Sequence, residues 1–119
     1  MLAKPAIAQA LARPDDGPAS VWRERRFVSV DGGAVRQGII DRLVVVGEPG
    51  DWRRAEILDF KTDGFGEEPP GEEALDAKAV FYRGQLQSYR GEIARQFRLD
   101  PASISMRLAF VSAGVVAEV

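Results

Sequence analysis

The chain reads as an α/β protein of the α+β kind, with a mixed sheet, an antiparallel three-strand meander and one long helix. Three observations predict this. Turn signals at Asp31-Gly32-Gly33 and Glu48-Pro49-Gly50-Asp51 separate three strand-like runs. Tyr82, Leu86, Tyr89, Ile93 and Phe97 then recur at three- and four-residue spacing, the mark of one helical face. Beyond Asp100-Pro101, Ile104, Met106, Leu108 and Phe110 alternate with polar or small neighbours, as a strand requires.

Taken in order, a short helix is expected from Lys4 to Leu11, where Pro5 fits a first turn. Two prolines, two aspartates and a glycine between Ala12 and Ala19 mark a loop, so the first 20 residues form a helix and linker. Strands are expected at about Val21 to Val30, Val35 to Val46 and Arg54 to Lys61. The stretch from Asp63 to Glu73 is rich in Gly, Pro and acid and has no Lys or Arg, which reads as a solvated loop. A helix should begin near Leu75 or Asp76 and run to about Phe97. Strands from Ile104 to Val111 and from Val115 to Val119 complete the order, with a turn at Ala113-Gly114. A crossover through the helix could pair the third and fourth strands in parallel, and should then be right-handed.

The 119 residues suit a single domain, spanning 1–119, with a core too modest for a second one. With neither cysteine nor histidine, the chain has no disulfides, no thiolate or imidazole zinc site and no His-based nucleophilic catalysis. Any metal must be held by oxygen, which favours Mg²⁺ or Mn²⁺. A net charge of -2 argues against a protein that coats nucleic acid, though not against one that grips it locally. No apolar run is long enough for a membrane span and the N-terminus lacks a signal-peptide pattern, so the expected compartment is the cytoplasm.

Three short segments carry the chemistry. Gly38-Ile39-Ile40-Asp41-Arg42 places an acid within an apolar strand, Asp59-Phe60-Lys61 ends the next strand, and Gln85-Leu86-Gln87-Ser88-Tyr89 lies on the helix. Strand alternation points Asp59 and Lys61 to one face and Phe60 to the other. Asp41, on the neighbouring strand, is within cross-strand reach of Asp59. Two converging carboxylates repel unless a cation lies between them, and a divalent ion there would activate water against a phosphodiester. The Phe60 backbone carbonyl is a candidate further ligand, and Lys61 a candidate for orienting the water or neutralising developing charge. Gln85 and Tyr89 share a helical face that Tyr82 extends, and all three suit contact with a nucleic-acid backbone or base.

Taken singly, Asp59-x-Lys61 reads as a surface ion pair and Gln85-x-x-x-Tyr89 as a helix edge, whereas Asp41, amid Ile39, Ile40, Leu43 and Val44, costs stability unless paired; the order of the three is what distinguishes them. Gly-x-Ile-Asp-Arg-Leu, Ile-Leu-Asp-Phe-Lys-Thr-Asp and Tyr-x-x-Gln-Leu-x-x-Tyr together resemble the PD-(D/E)xK nuclease superfamily. More narrowly, they resemble the C-terminal nuclease domain of the RecB and AddA helicase-nucleases, over about Glu24 to Val119. The resemblance implies a restriction-endonuclease-like core and Mg²⁺-dependent DNA cleavage beside a helicase motor. It makes Asp41 and Asp59 metal ligands, Lys61 the catalytic lysine, Gln85 and Tyr89 supporting residues, and Glu24 a recurrent acidic position. The family often adds a histidine from an upstream helix, and this chain has none. The chain is therefore expected to be a module of a larger helicase-nuclease, or alternatively a nuclease-fold DNA-binding or assembly scaffold without catalysis. Against Glu24, the competing expectation is a solvated charged face shared with Arg23, Arg25 and Arg26; for Asp41 it is a structural ion pair with Arg42 or Arg36.

Overall fold

The computed structural model describes residues 5–62, 64–65 and 70–119. Its elements are α1 (Pro5–Ala10), β1 (Ala19–Asp31), β2 (Ala34–Glu48), β3 (Asp51–Lys61), α2 (Glu72–Phe97), a 3₁₀ turn (Pro101–Ser103), β4 (Ile104–Phe110) and β5 (Val115–Glu118). The five strands form one mixed sheet in sequence order. Neighbours pair antiparallel except β3 and β4, which run parallel. A parallel pair needs a long connection, and α2 supplies it.

The turns follow the backbone chemistry of their residues. Gly32, Gly33 and Gly50 all take positive φ, which a side chain would resist. Gly47, at φ 123, sits in a bulge between β2 and β3 where an added Cβ would lie 2.6 Å from the Asp51 carbonyl oxygen.

The helix α2 begins at Glu72, earlier than the apolar periodicity suggests. Glu72 and Glu73 in its first turn complement the helix dipole, a signal that hydrophobic spacing does not carry. The preceding segment is also less solvated than its composition implies. Phe65 packs edge-on against Phe110 at 5.1 Å, and Pro70 is buried. Lys4 and Asp63, which bounded the expected helix and loop, lie outside the described residues.

The main core lies between the sheet and α2, where Leu86 and Ile93 meet Leu43, Ile57, Leu108 and Phe110, all fully buried. At one end Trp52 packs edge to face on Trp22 and Phe97, which meet each other tilted, with centroids 5.4–6.4 Å apart. On the opposite side of the sheet, Ile7 and Ala10 of α1 cover Leu58 and Ala109. Six residues make a weak helix, and arginines hold this one down. Arg42 donates to the carbonyls of Ala10 and Leu11 at 3.2 and 2.9 Å. Arg54 grips both carboxylate oxygens of Asp16 at 2.8 and 3.0 Å. The same Arg54 bonds Glu56, which also receives Arg107.

The outer half of the β1–β2 hairpin extends past the end of the β2–β3 ladder, which stops at Arg42–Leu58. There Phe27 lies across Gly38 and edge-on to Tyr89 at 5.4 Å, tying the ribbon to α2. A Cβ on Gly38 would meet Phe27 ring carbons at 2.5 and 2.6 Å and Tyr89 at 3.0 Å. Gly38→Ala should therefore cost about 1–3 kcal/mol by overpacking. Urea unfolding would register this as a lower midpoint at unchanged slope.

Candidate active site

The site forms where two strands separate. The register that pairs Arg42 with Leu58 would next bring Asp41 opposite Asp59, but no backbone pair forms there. Instead the Asp41 carboxylate accepts the Phe60 amide at 2.8 Å. A side chain thus satisfies a backbone donor that a neighbouring strand would otherwise take. Because the N–H and C=O of a strand residue point to the same edge, the Phe60 carbonyl faces this opening too.

The other strand partner is equally irregular. Arg23 pairs with Arg42 and Arg25 with Ile40, while the intervening rung of Glu24 and Asp41 is absent from the ladder. Glu24 adopts φ 51, an uncommon conformation for a non-glycine residue within a strand. Across this rung both strands change the parity of their faces. Trp22 and Arg25 both contact Phe97 of α2, and Ile40 and Leu43 both enter the main core. Simple alternation would send the members of each pair to opposite faces.

Asp59 is 4% exposed and its carboxyl group lies beside that of Asp41. Its Oδ2 lies 2.8 Å from Lys61 Nζ in an ion pair whose angles fall short of a hydrogen bond, so this buried oxygen has no hydrogen-bond partner among the described residues. Lys61 Nζ donates to Gln85 Oε1 at 3.0 Å and sits 4.1 Å from the centroid of the Tyr82 ring. Gln85 Nε2 in turn donates to the Tyr89 hydroxyl at 3.0 Å. Asp41, Asp59, Lys61, Gln85, Tyr89 and Tyr82 thus form one connected group at the strand ends and the facing turns of α2.

Glu24 is set apart from that group. It is exposed and lines a cleft of about 1040 Å³ on the α1 side of the sheet, together with Asp41, Phe60 and three arginines. The expected face of Arg23, Arg25 and Arg26 does not form as a unit. Arg25 stacks over Trp22 and Phe97 and bonds Gln96, whereas Arg23 opens into the cleft. The anticipated Asp41–Arg42 pair is absent as well, because Arg42 is spent on the carbonyls at the end of α1. The Arg36 side chain lies outside the described residues.

The electrostatics follow from this crowding. Burial, then the neighbouring Asp41 carboxyl, push the Asp59 pKa up to about 6, against the opposing pull of Lys61. Burial and the Asp59 charge also raise the Tyr89 hydroxyl. A divalent cation fits a site with two adjacent, mutually repelling carboxylates, and Asp41, Asp59 and the Phe60 carbonyl are the atoms that could hold it. Among the described residues no group of three or more acidic side chains is arranged to hold a metal, so the protein ligand set is sparse. Comparisons with protein-family models, curated proteins and solved structures gave no match.

With a folded pKa near 6 and an unfolded one near 3.8, Asp59 binds more protons when folded between those values. Stability therefore falls as pH rises through that window, and the cost persists at higher pH. Asp59→Asn should be more stable than the parent at about pH 8, by on the order of 1 kcal/mol after screening. Near pH 4 the gap should close, as denaturant titration at both pH values would report.

Proposed function

We propose that the chain is a Mg²⁺-dependent DNA nuclease module with a restriction-endonuclease-like core, of the type found in RecB and AddA. The observation that carries this reading is the meeting of Asp41 and Asp59 at a gap in the sheet, with Lys61 paired to Asp59. A structural ion pair does not require a second carboxylate beside the first; a cation site does.

A divalent ion bound there supplies Lewis acidity toward a phosphodiester oxygen and lowers the pKa of water. The protein's own part is positional. Asp41 is fixed by the Phe60 amide, and Asp59 is fixed by its strand and by Lys61. Gln85 and the Tyr82 ring hold the Lys61 ammonium at the rim of the carboxylate pair, where charge accumulates on a phosphate under attack. Tyr89 orients Gln85 and buttresses the hairpin through Phe27. A helicase motor, as a linked domain or a separate subunit, would deliver the strand. Within the cell such a module works in the cytoplasm; among the described residues no helix is long and apolar enough to cross a membrane.

A second reading is a nuclease-fold scaffold that binds DNA or a partner without cutting. It is favoured by the sparse ligand set: a pair of carboxylates, no histidine and no third acid in the group.

Calorimetric titration with Mg²⁺ or Mn²⁺, followed by a DNA cleavage assay, separates the two. The nuclease reading expects metal binding that vanishes in the Asp41→Ala/Asp59→Ala double variant, along with cleavage. Lys61→Met should retain the metal and lose roughly 10²–10³ in kcat. An intact chain that binds neither ion would leave the scaffold as the better account.

A further inference from the structure

We propose that Arg13 and Arg23 form a phosphate subsite for the nucleic-acid strand in the cleft on the α1 side of the sheet, away from Lys61. The proposal rests on the nuclease reading for its substrate but not for its geometry. Arg23 and Arg42 stand directly opposite each other on β1 and β2, an arrangement that like charges disfavour. Arg13 approaches the same place from the segment after α1, and its charge, like those of Arg23 and Arg107, acts on Arg42. Two of the four guanidinium groups are consumed internally. Arg42 serves the Ala10 and Leu11 carbonyls, and Arg107 serves Glu56 and the Ala10 carbonyl.

The other two have capacity to spare. Arg13 donates to the Ala19 carbonyl at 2.6 Å and keeps the rest of its fork. Arg23 makes no hydrogen bond or ion pair among the described residues, and Glu24, which lines the same cleft, pairs with neither arginine. Arg23 and the spare end of Arg13 therefore face the open cavity unpaired, although Glu24 and Asp41 share its lining, and an anion can take them up. Paired guanidinium forks match phosphate oxygens in geometry as well as charge.

The lining selects among anions. Leu11, Val21 and Phe60 give the cleft an apolar floor, and Asp41 stands at its edge. A small inorganic ion makes no use of that floor, whereas a sugar and base attached to the phosphate can pack on it. Since Asp41 borders the cleft and also contacts Asp59, a strand lying there leads directly to the carboxylate pair. The arm that carries Arg13 thereby becomes a wall of the binding site, held in place by Arg42 and Arg54.

The test is binding of a fluorescent single-stranded DNA of about 12 nucleotides, with Ca²⁺ in place of Mg²⁺, followed by anisotropy over a range of salt. In Arg13→Gln/Arg23→Gln the affinity should fall about 10-fold or more, and the log–log salt slope should shrink by about 1.4, two phosphate contacts at about 0.7 each. Arg23→Gln alone should give roughly half the slope change with a melting temperature no lower than the parent's, and Arg26→Gln should leave the slope unchanged. Metal binding should be the same in all of them. Wild-type affinity and slope in the double variant would overturn the subsite while leaving the nuclease reading intact. So would a loss seen with Arg13→Gln and absent from Arg23→Gln, since that would mark a loosened arm. An intact chain that ignores the oligonucleotide overturns the subsite as well. Arginine-dependent DNA binding in a chain that takes up no metal would uphold the subsite and sink the nuclease reading.

Discussion

A single hydrogen bond, from the Phe60 amide to the Asp41 carboxylate, organises the end of this sheet that bears the candidate site. It stands where the β2–β3 ladder would otherwise continue, so the two strands part without stranding a backbone donor. Had the ladder run on, Phe60 would have spent its carbonyl as well as its amide on β2. Stopping it leaves a notch between strands, lined by backbone and carboxylate oxygens. Such a notch suits a hard cation better than any pocket of side chains alone, because backbone atoms cannot swing away.

The cost of the notch is visible around it. Asp59 is pressed against a second carboxylate under cover of the core, and Glu24 holds an uncommon backbone conformation on the next strand. Strain and unfavourable charge concentrate at functional sites because the rest of the fold over-determines them. Here that role falls to α2 and to the hairpin rung of Phe27 and Gly38, which clamp the region from one side through Tyr89. On the other side, Arg42 ties the strand bearing Asp41 to the end of α1.

Much of the architecture could be read from the sequence because its signals are local. Gly and Pro at 32–33 and 49–50 set the turns, and the spacing of Leu86, Tyr89 and Ile93 set the buried face of α2. The grouping of Asp41, Asp59, Lys61, Gln85 and Tyr89 was legible for the same reason, since alternation on β3 and helical spacing on α2 each fix a direction. What stayed hidden depends on breaks in those periods. Parity changes at Glu24 and Asp41 in both strands at once, so alternation counted from either end puts half the hairpin on the wrong face. Arg42 illustrates the result: its position beside Asp41 suggests an ion pair, yet its guanidinium reaches α1 some thirty residues earlier in sequence. The cleft and its gathering of arginines are long-range products of that arm, and neither composition nor spacing announces them. Phe65 was likewise masked by its acidic and glycine-rich neighbours.

The hairpin beyond the end of the ladder has a consequence for how the molecule moves. Among the described residues the ribbon from Arg25 to Ile40 has no third strand beside it, and Val30 and Val35 face each other 72% and 63% exposed at its tip. Beyond the Phe27–Gly38 rung few apolar contacts oppose its opening, so the tip of this ribbon belongs to the low end of the molecule's range of local stabilities, while β3, β4 and α2 belong to the high end. Glu24 and Asp41 sit at the boundary between the two regimes. Asp41 is thus hinged to the less stable part, and Asp59 and Lys61 to the more stable one. Exchange of amide protons would divide along that line, fast in the outer ribbon and slow from Leu43 and Ile57 inward. A ligand spanning both parts would then draw binding free energy from quieting the ribbon, and its grip would weaken with anything that loosens the valine tip.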